Sequence, residues 1–71
     1  MNEYTILLTW DDEAQVWIAI NDEIPIALNS SSLDELMERV KLAVPEILEM
    51  NGKPYEGIPL HFKADRLAVV A

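Results

Sequence analysis

The chain has 71 residues, with 13 acidic side chains against 5 basic ones, a net charge of −8, one histidine and no cysteine. That length holds one domain with a small core, and the residue counts exclude a disulfide framework and a Cys/His metal cluster. The five cations, Arg39, Lys41, Lys53, Lys63 and Arg66, are scattered along the chain, which excludes the clustered basic footprint needed for direct binding to a phosphate backbone.

A hydrophobic fraction of 51% with 25% charged residues belongs to a globular chain rather than a disordered one. Cores of this size supply only a few kcal/mol, so small folds add disulfides, metals or further subunits. With the first two closed, a homodimer or higher homo-oligomer is predicted. No apolar run approaches the roughly 20 residues that span a bilayer, and Met1-Asn2-Glu3 lacks the positive region of a signal peptide. A cytoplasmic protein without membrane contact is expected.

From Tyr4 to Trp10 the even positions Tyr4, Ile6, Leu8 and Trp10 are all apolar, the period of a strand with one buried face. Asp11 to Gln15 reads as a turn of four or five residues opened by Asp11, since no Gly is present to favour a two-residue primed turn. Val16, Ile18 and Ile20 then alternate with Trp17, Ala19 and Asn21 as a second strand. After the polar break Asn21-Asp22-Glu23, Ile24 to Leu28 is predicted as a short third strand, with Pro25, which has no amide donor, at its start or on an unpaired edge.

Ser32-Leu33-Asp34-Glu35 fits a capping box, in which Ser32 accepts from the third helical amide and Glu35 reaches back to the Ser32 amide. Leu33, Leu36, Met37, Val40, Ala43, Val44 and Ile47 follow at helical spacing. Pro45 cannot donate to the Lys41 carbonyl and disfavours helical geometry at Val44, which predicts a kink or a separate segment from Pro45 to Met50. Asn51-Gly52 supplies a left-handed cap. Ile58 to Ala71 is the last strand region. Leu60 and Phe62 differ in parity from Leu67 and Val69, so either a bulge near Ala64-Asp65-Arg66 shifts the register or Leu67 to Val70 forms a separate strand.

Candidate chemistry is sparse. The acids Asp11, Asp12 and Glu13 and the pair Asp22 and Glu23 flank the second strand, which separates them by about 20 Å at roughly 3.3 Å per residue. A carboxylate pair working as acid and base needs a separation within about 10 Å. His61 has no nucleophile or orienting partner at a recognisable spacing, Ser30 to Ser32 lack a G-x-S-x-G setting, and Gly52 and Gly57 form no phosphate-cradling loop. No enzyme activity, cofactor or metal is predicted. If the helix covers Ile6, Leu8, Val16 and Ile18, then Leu7, Trp17 and Ala19 lie on the opposite, exposed face of the hairpin. Together with Val69 they are the candidate partner or oligomer interface.

The run Trp10-Asp11-Asp12-Glu13-Ala14-Gln15-Val16-Trp17-Ile18-Ala19, followed by Asp22-Glu23-Ile24-Pro25, the helix start Ser32-Leu33-Asp34-Glu35-Leu36, and Val44-Pro45-Glu46-Ile47-Leu48-Glu49-Met50-Asn51-Gly52, resembles the small domains of unknown function related to the HicB antitoxins. The likeness spans nearly the whole chain. It implies a single α+β domain over residues 1–71, ordered β-β-β-α-β: a three-stranded antiparallel meander, a helix kinked or broken at proline, and a C-terminal strand, as in a partial ribonuclease H-like fold without that enzyme's active site. It further implies a partner of the HicA type, a small basic toxin that cleaves messenger RNA. The operator-binding module of full HicB proteins has no counterpart in these residues, so autorepression is not expected.

Overall fold

The computed structural model describes residues 3–68 and 70. Four strands and one helix follow the order β1 (Tyr4–Asp11), β2 (Val16–Ile20), β3 (Leu28–Ser30), α1 (Leu33–Met50) and β4 (Leu60–Asp65). The sheet has the order β3-β2-β1-β4. β1 pairs antiparallel with β2 and β2 with β3, while β4 joins the far side of β1 in parallel. The fold is α+β with a mixed sheet: the predicted meander is present, and the last strand turns the sheet from antiparallel to mixed. α1 makes that possible, because it carries the chain from the β3 edge back to the end where β4 must start. Tyr4 N–H donates to the Pro59 carbonyl at 3.2 Å, and parallel pairing begins there.

The hairpin turn is built from side chains where no glycine is available. Asp11 Oδ1 accepts from the amides of Glu13 (3.1 Å) and Ala14 (3.3 Å), and Gln15 N–H closes the turn on the Asp11 carbonyl at 2.8 Å. Closure forces Gln15 to a φ of 58°, a left-handed conformation that Gln adopts at a cost.

Three expectations about element boundaries need correction. The third strand is not Ile24 to Leu28 but the three residues Leu28–Ser30. Asn21 accounts for the shift: its Oδ1 accepts from the amides of Glu23 and Ile24, each at 2.7 Å, and its Nδ2 donates to the Thr5 carbonyl, so the chain there is a pinned loop rather than a ladder. The helix is neither broken nor restarted at Pro45 but runs 18 residues through it. Pro45 is half-buried between buried Val44 and Leu48, and packing holds the backbone helical despite one missing hydrogen bond. The last strand ends at Asp65 without a bulge, and Arg66 to Ala68 are outside any strand.

At the helix start Ser32 Oγ accepts from Glu35 N–H at 3.2 Å as predicted, but the reciprocal half of the capping box is replaced. The Ser32 amide donates to Ser30 Oγ at 3.1 Å, so Glu35 is left facing solvent. The helix end is a Schellman motif: Gly52, with φ of 68°, donates to the Glu49 carbonyl and Lys53 to the Leu48 carbonyl.

The core lies between the helix and one sheet face. Leu36, Val40, Val44 and Leu48, four apart, make one ridge that packs on Tyr4, Ile6 and Leu8 of β1, Ala19 of β2 and Ile24 of the loop. Leu36→Ala should therefore lower the unfolding free energy by about 2–5 kcal/mol in urea titrations. Leu42→Ala, at a helix position 73% exposed, should stay within about 0.5 kcal/mol.

Candidate functional site

The ladder between β1 and β2 decides which side chains share a face. The Cα partners are Leu7 with Ile20, Leu8 with Ala19, Thr9 with Ile18, Trp10 with Trp17 and Asp11 with Val16. Directly opposed residues point to the same side, so Trp17 and Ala19 go with the helix-facing set of Leu8 and Trp10. Ala19 is 0% exposed, and Trp17 is half-buried against the core. The expectation that Ala19 and Trp17 are exposed beside Leu7 is thereby overturned. The four residues Asp12 to Gln15 between the paired Asp11 and Val16 put even β1 positions opposite odd β2 positions, and an offset of one flips a whole strand. Leu7 is on the open face as expected, 38% exposed. Val69 lies outside the described residues.

The open face thus differs from the predicted one. Leu7, Ile18 and Ile20 form its apolar strip, with Val16 at one end and Lys63 and Asp65 of β4 alongside. Ile20 is 45% exposed. A hollow of about 240 Å³ is lined by Thr5, Leu7, Ile20, Asn21 and Asp22 on this side. The charges here are few and mixed in sign.

The acids are concentrated elsewhere. All 13 except Asp11 are exposed. On the helix, Lys41 is paired with Glu38 at 3.1 Å, and Arg39 is turned toward the sheet edge, where it donates to the Asn29 carbonyl at 2.7 Å. Asp34, Glu35, Glu46 and Glu49 are left as an acidic surface on the outer side of the helix. The two turn clusters sit at opposite ends of β2, and among the described residues no three His, Cys, Asp or Glu side chains converge on a metal-sized site. His61, exposed on β4, pairs with the Glu3 carboxylate.

One constellation was not legible as a site in the sequence. Trp10 and Trp17 meet edge to face, with ring centroids 5.4 Å apart at 65°. The Arg66 guanidinium stacks on Trp10 at 3.9 Å from the ring centroid and reaches Trp17 at 5.9 Å. The parallel ladder explains the meeting: Thr9 is paired with Asp65, so one residue further along, Arg66 arrives beside Trp10. Trp10 Nε1–H donates to Asp12 Oδ1 at 3.2 Å, which fixes the indole. The parity of Arg66 after Leu60 and Phe62 was a usable signal, but only given the pairing partner of β4.

These features define a small α+β domain with one covered sheet face, one open apolar face and an acidic helix. Residues 3–71 match the family model described as a domain of unknown function (DUF1902), and the chain belongs to that family. It is also similar to the crystal structure of the hypothetical protein TTHA1013 from the extremely thermophilic bacterium Thermus thermophilus. The two share 35% identity at a TM-score of 0.82, over 97% of this chain and 100% of that one. Comparison with curated proteins gives no match. No helix among the described residues is long and apolar enough to cross a membrane.

The register has a direct test. Ala19→Leu should overpack the helix–sheet interface and destabilise the domain by about 1–3 kcal/mol, whereas Ile18→Leu on the open face should cost under about 1 kcal/mol. Equal, small effects in urea titrations would place Ala19 on the open face.

Proposed function

We propose that this domain is a non-enzymatic, HicB-like antitoxin-type module that sequesters a small basic RNA-cleaving toxin of the HicA type. The observation that supports it best is the distribution of charge. Both cations in α1 are occupied locally, by Glu38 and by the Asn29 carbonyl, so the outer side of the helix presents its acids uncompensated. Such a surface steers a basic partner into contact and raises the encounter rate. The sequence resemblance to HicB-related domains supports a partner of the HicA type.

The test is recovery of a small basic protein on the tagged domain from its native host, with binding that weakens about tenfold or more between low salt and about 0.5 M salt. Reversal of the helix acids, Glu35→Lys with Glu49→Lys, should slow association while leaving the urea midpoint nearly unchanged. Recovery of no basic protein, together with the absence of a toxin gene beside this one, would sink the reading.

The second reading is an orphan structural or regulatory domain that self-associates and has no toxin partner. The open strip of Leu7, Ile18 and Ile20 favours it, since local charge there is low on a chain of net charge −8. Sedimentation at micromolar concentration should show a dimer or larger species, and Leu7→Glu with Ile20→Glu should return it to monomer. A monomeric wild-type chain would remove self-association from either reading.

A further inference from the structure

Arg66 differs from the two helix cations in how it is held. Lys41 has a carboxylate and Arg39 a carbonyl. Arg66 lies over an indole face, and among the described residues it makes no hydrogen bond or ion pair. Carboxylates are nevertheless at hand: a hollow of about 390 Å³, open to solvent, is lined by Thr9, Trp10, Asp12, Asp65, Arg66 and Leu67. A guanidinium is planar and weakly hydrated. Stacked on one face, it keeps its five N–H donors in the plane, where neighbouring carboxylates can accept them.

The aromatic part is built rather than accidental. Trp17 and Trp10 oppose each other in the ladder, their rings are locked edge to face, and Asp12 holds the Trp10 indole through Nε1. The cation seated there is exposed and lies just past the end of β4, followed by Leu67 at 91% exposure. Nothing else among the described side chains pins it, so it can be exchanged without disturbing a strand.

We propose that Trp10, Trp17 and Asp12 form an arginine-accepting site. In the free chain it is filled by the chain's own Arg66, and an arginine side chain of a basic polypeptide displaces Arg66 and takes its place. The source of that arginine rests on the toxin-binding reading; the chemistry of the site does not. Arg66 then acts as an internal competitor, which weakens binding of weakly basic chains and lets an arginine-rich one through.

The experiment is a titration of wild type, Arg66→Ala and Arg66→Gln with Nα-acetyl-arginine amide, followed by the emission of Trp10 and Trp17, the two tryptophans of the chain. Both variants should bind the probe about fivefold more tightly than wild type, the ratio that an exposed cation–π contact supports. Nα-acetyl-lysine amide, of equal charge but without the planar fork, should bind more weakly to both. Asp12→Asn added to Arg66→Ala should weaken the arginine probe again. Equal affinity in wild type and variants, no binding in any of them, or equal binding of the two probes would overturn the proposal. Because the probe is a small molecule, failure to find a toxin leaves this test intact, and failure of the probe leaves the pull-down intact.

Discussion

The turn from Asp11 to Val16 is the constraint on which the rest of the structure depends. Asp11 accepts two amides, Gln15 takes a left-handed conformation to close the loop, and the number of residues between the paired positions is thereby set. That number assigns faces. With it, Leu8 and Ala19 share the helix-facing side, and small Ala19 leaves room for the ridge of Leu36, Val40, Val44 and Leu48. A turn one residue longer or shorter would send Val16, Ile18 and Ile20 inward and leave Trp17 in solvent. The strained Gln15 costs on the order of 1 kcal/mol, small beside the burial of a whole strand face in the correct sense.

The same register organises the surface. Trp10 and Trp17 end up opposed, and β4, aligned in parallel with β1, delivers Arg66 to them. Leu7 and Ile20 end up opposed on the other side, as the centre of an apolar strip that no described element covers. The edges of the sheet differ too. β3 is three residues long and its Asn29 carbonyl is taken by Arg39, which blunts it. β4 is twice as long and carries Lys63 among alternating residues, the commoner way to discourage edge pairing.

Two local sequence rules give way in the structure, one to packing and one to a competing local hydrogen bond. Pro45 should end a helix, yet α1 continues because Val44 and Leu48 on either side of it are fully buried and hold the turn together. Glu35 should complete a capping box, yet the Ser32 amide donates instead to Ser30 Oγ, brought close by the place of Ser30 at the end of β3.

By itself the sequence determined the inventory and the phase within each element. The alternation of Tyr4, Ile6, Leu8 and Trp10, the Ser32 cap, the helical ridge and the Asn51-Gly52 stop are all short-range patterns, and all recur in the structure. The open position of Leu7 follows from the first of them. Only the tertiary structure decided the phase between elements: which face of β2 meets the helix, where β3 starts, and what stands beside Trp10. Alternation along one strand is unchanged by sliding its partner one residue. The misplacement of Trp17 and Ala19 and the invisibility of the Trp10, Trp17 and Arg66 cluster therefore share one cause. Relative register is set by turn closure and by packing on α1, and no pattern within a single strand carries it.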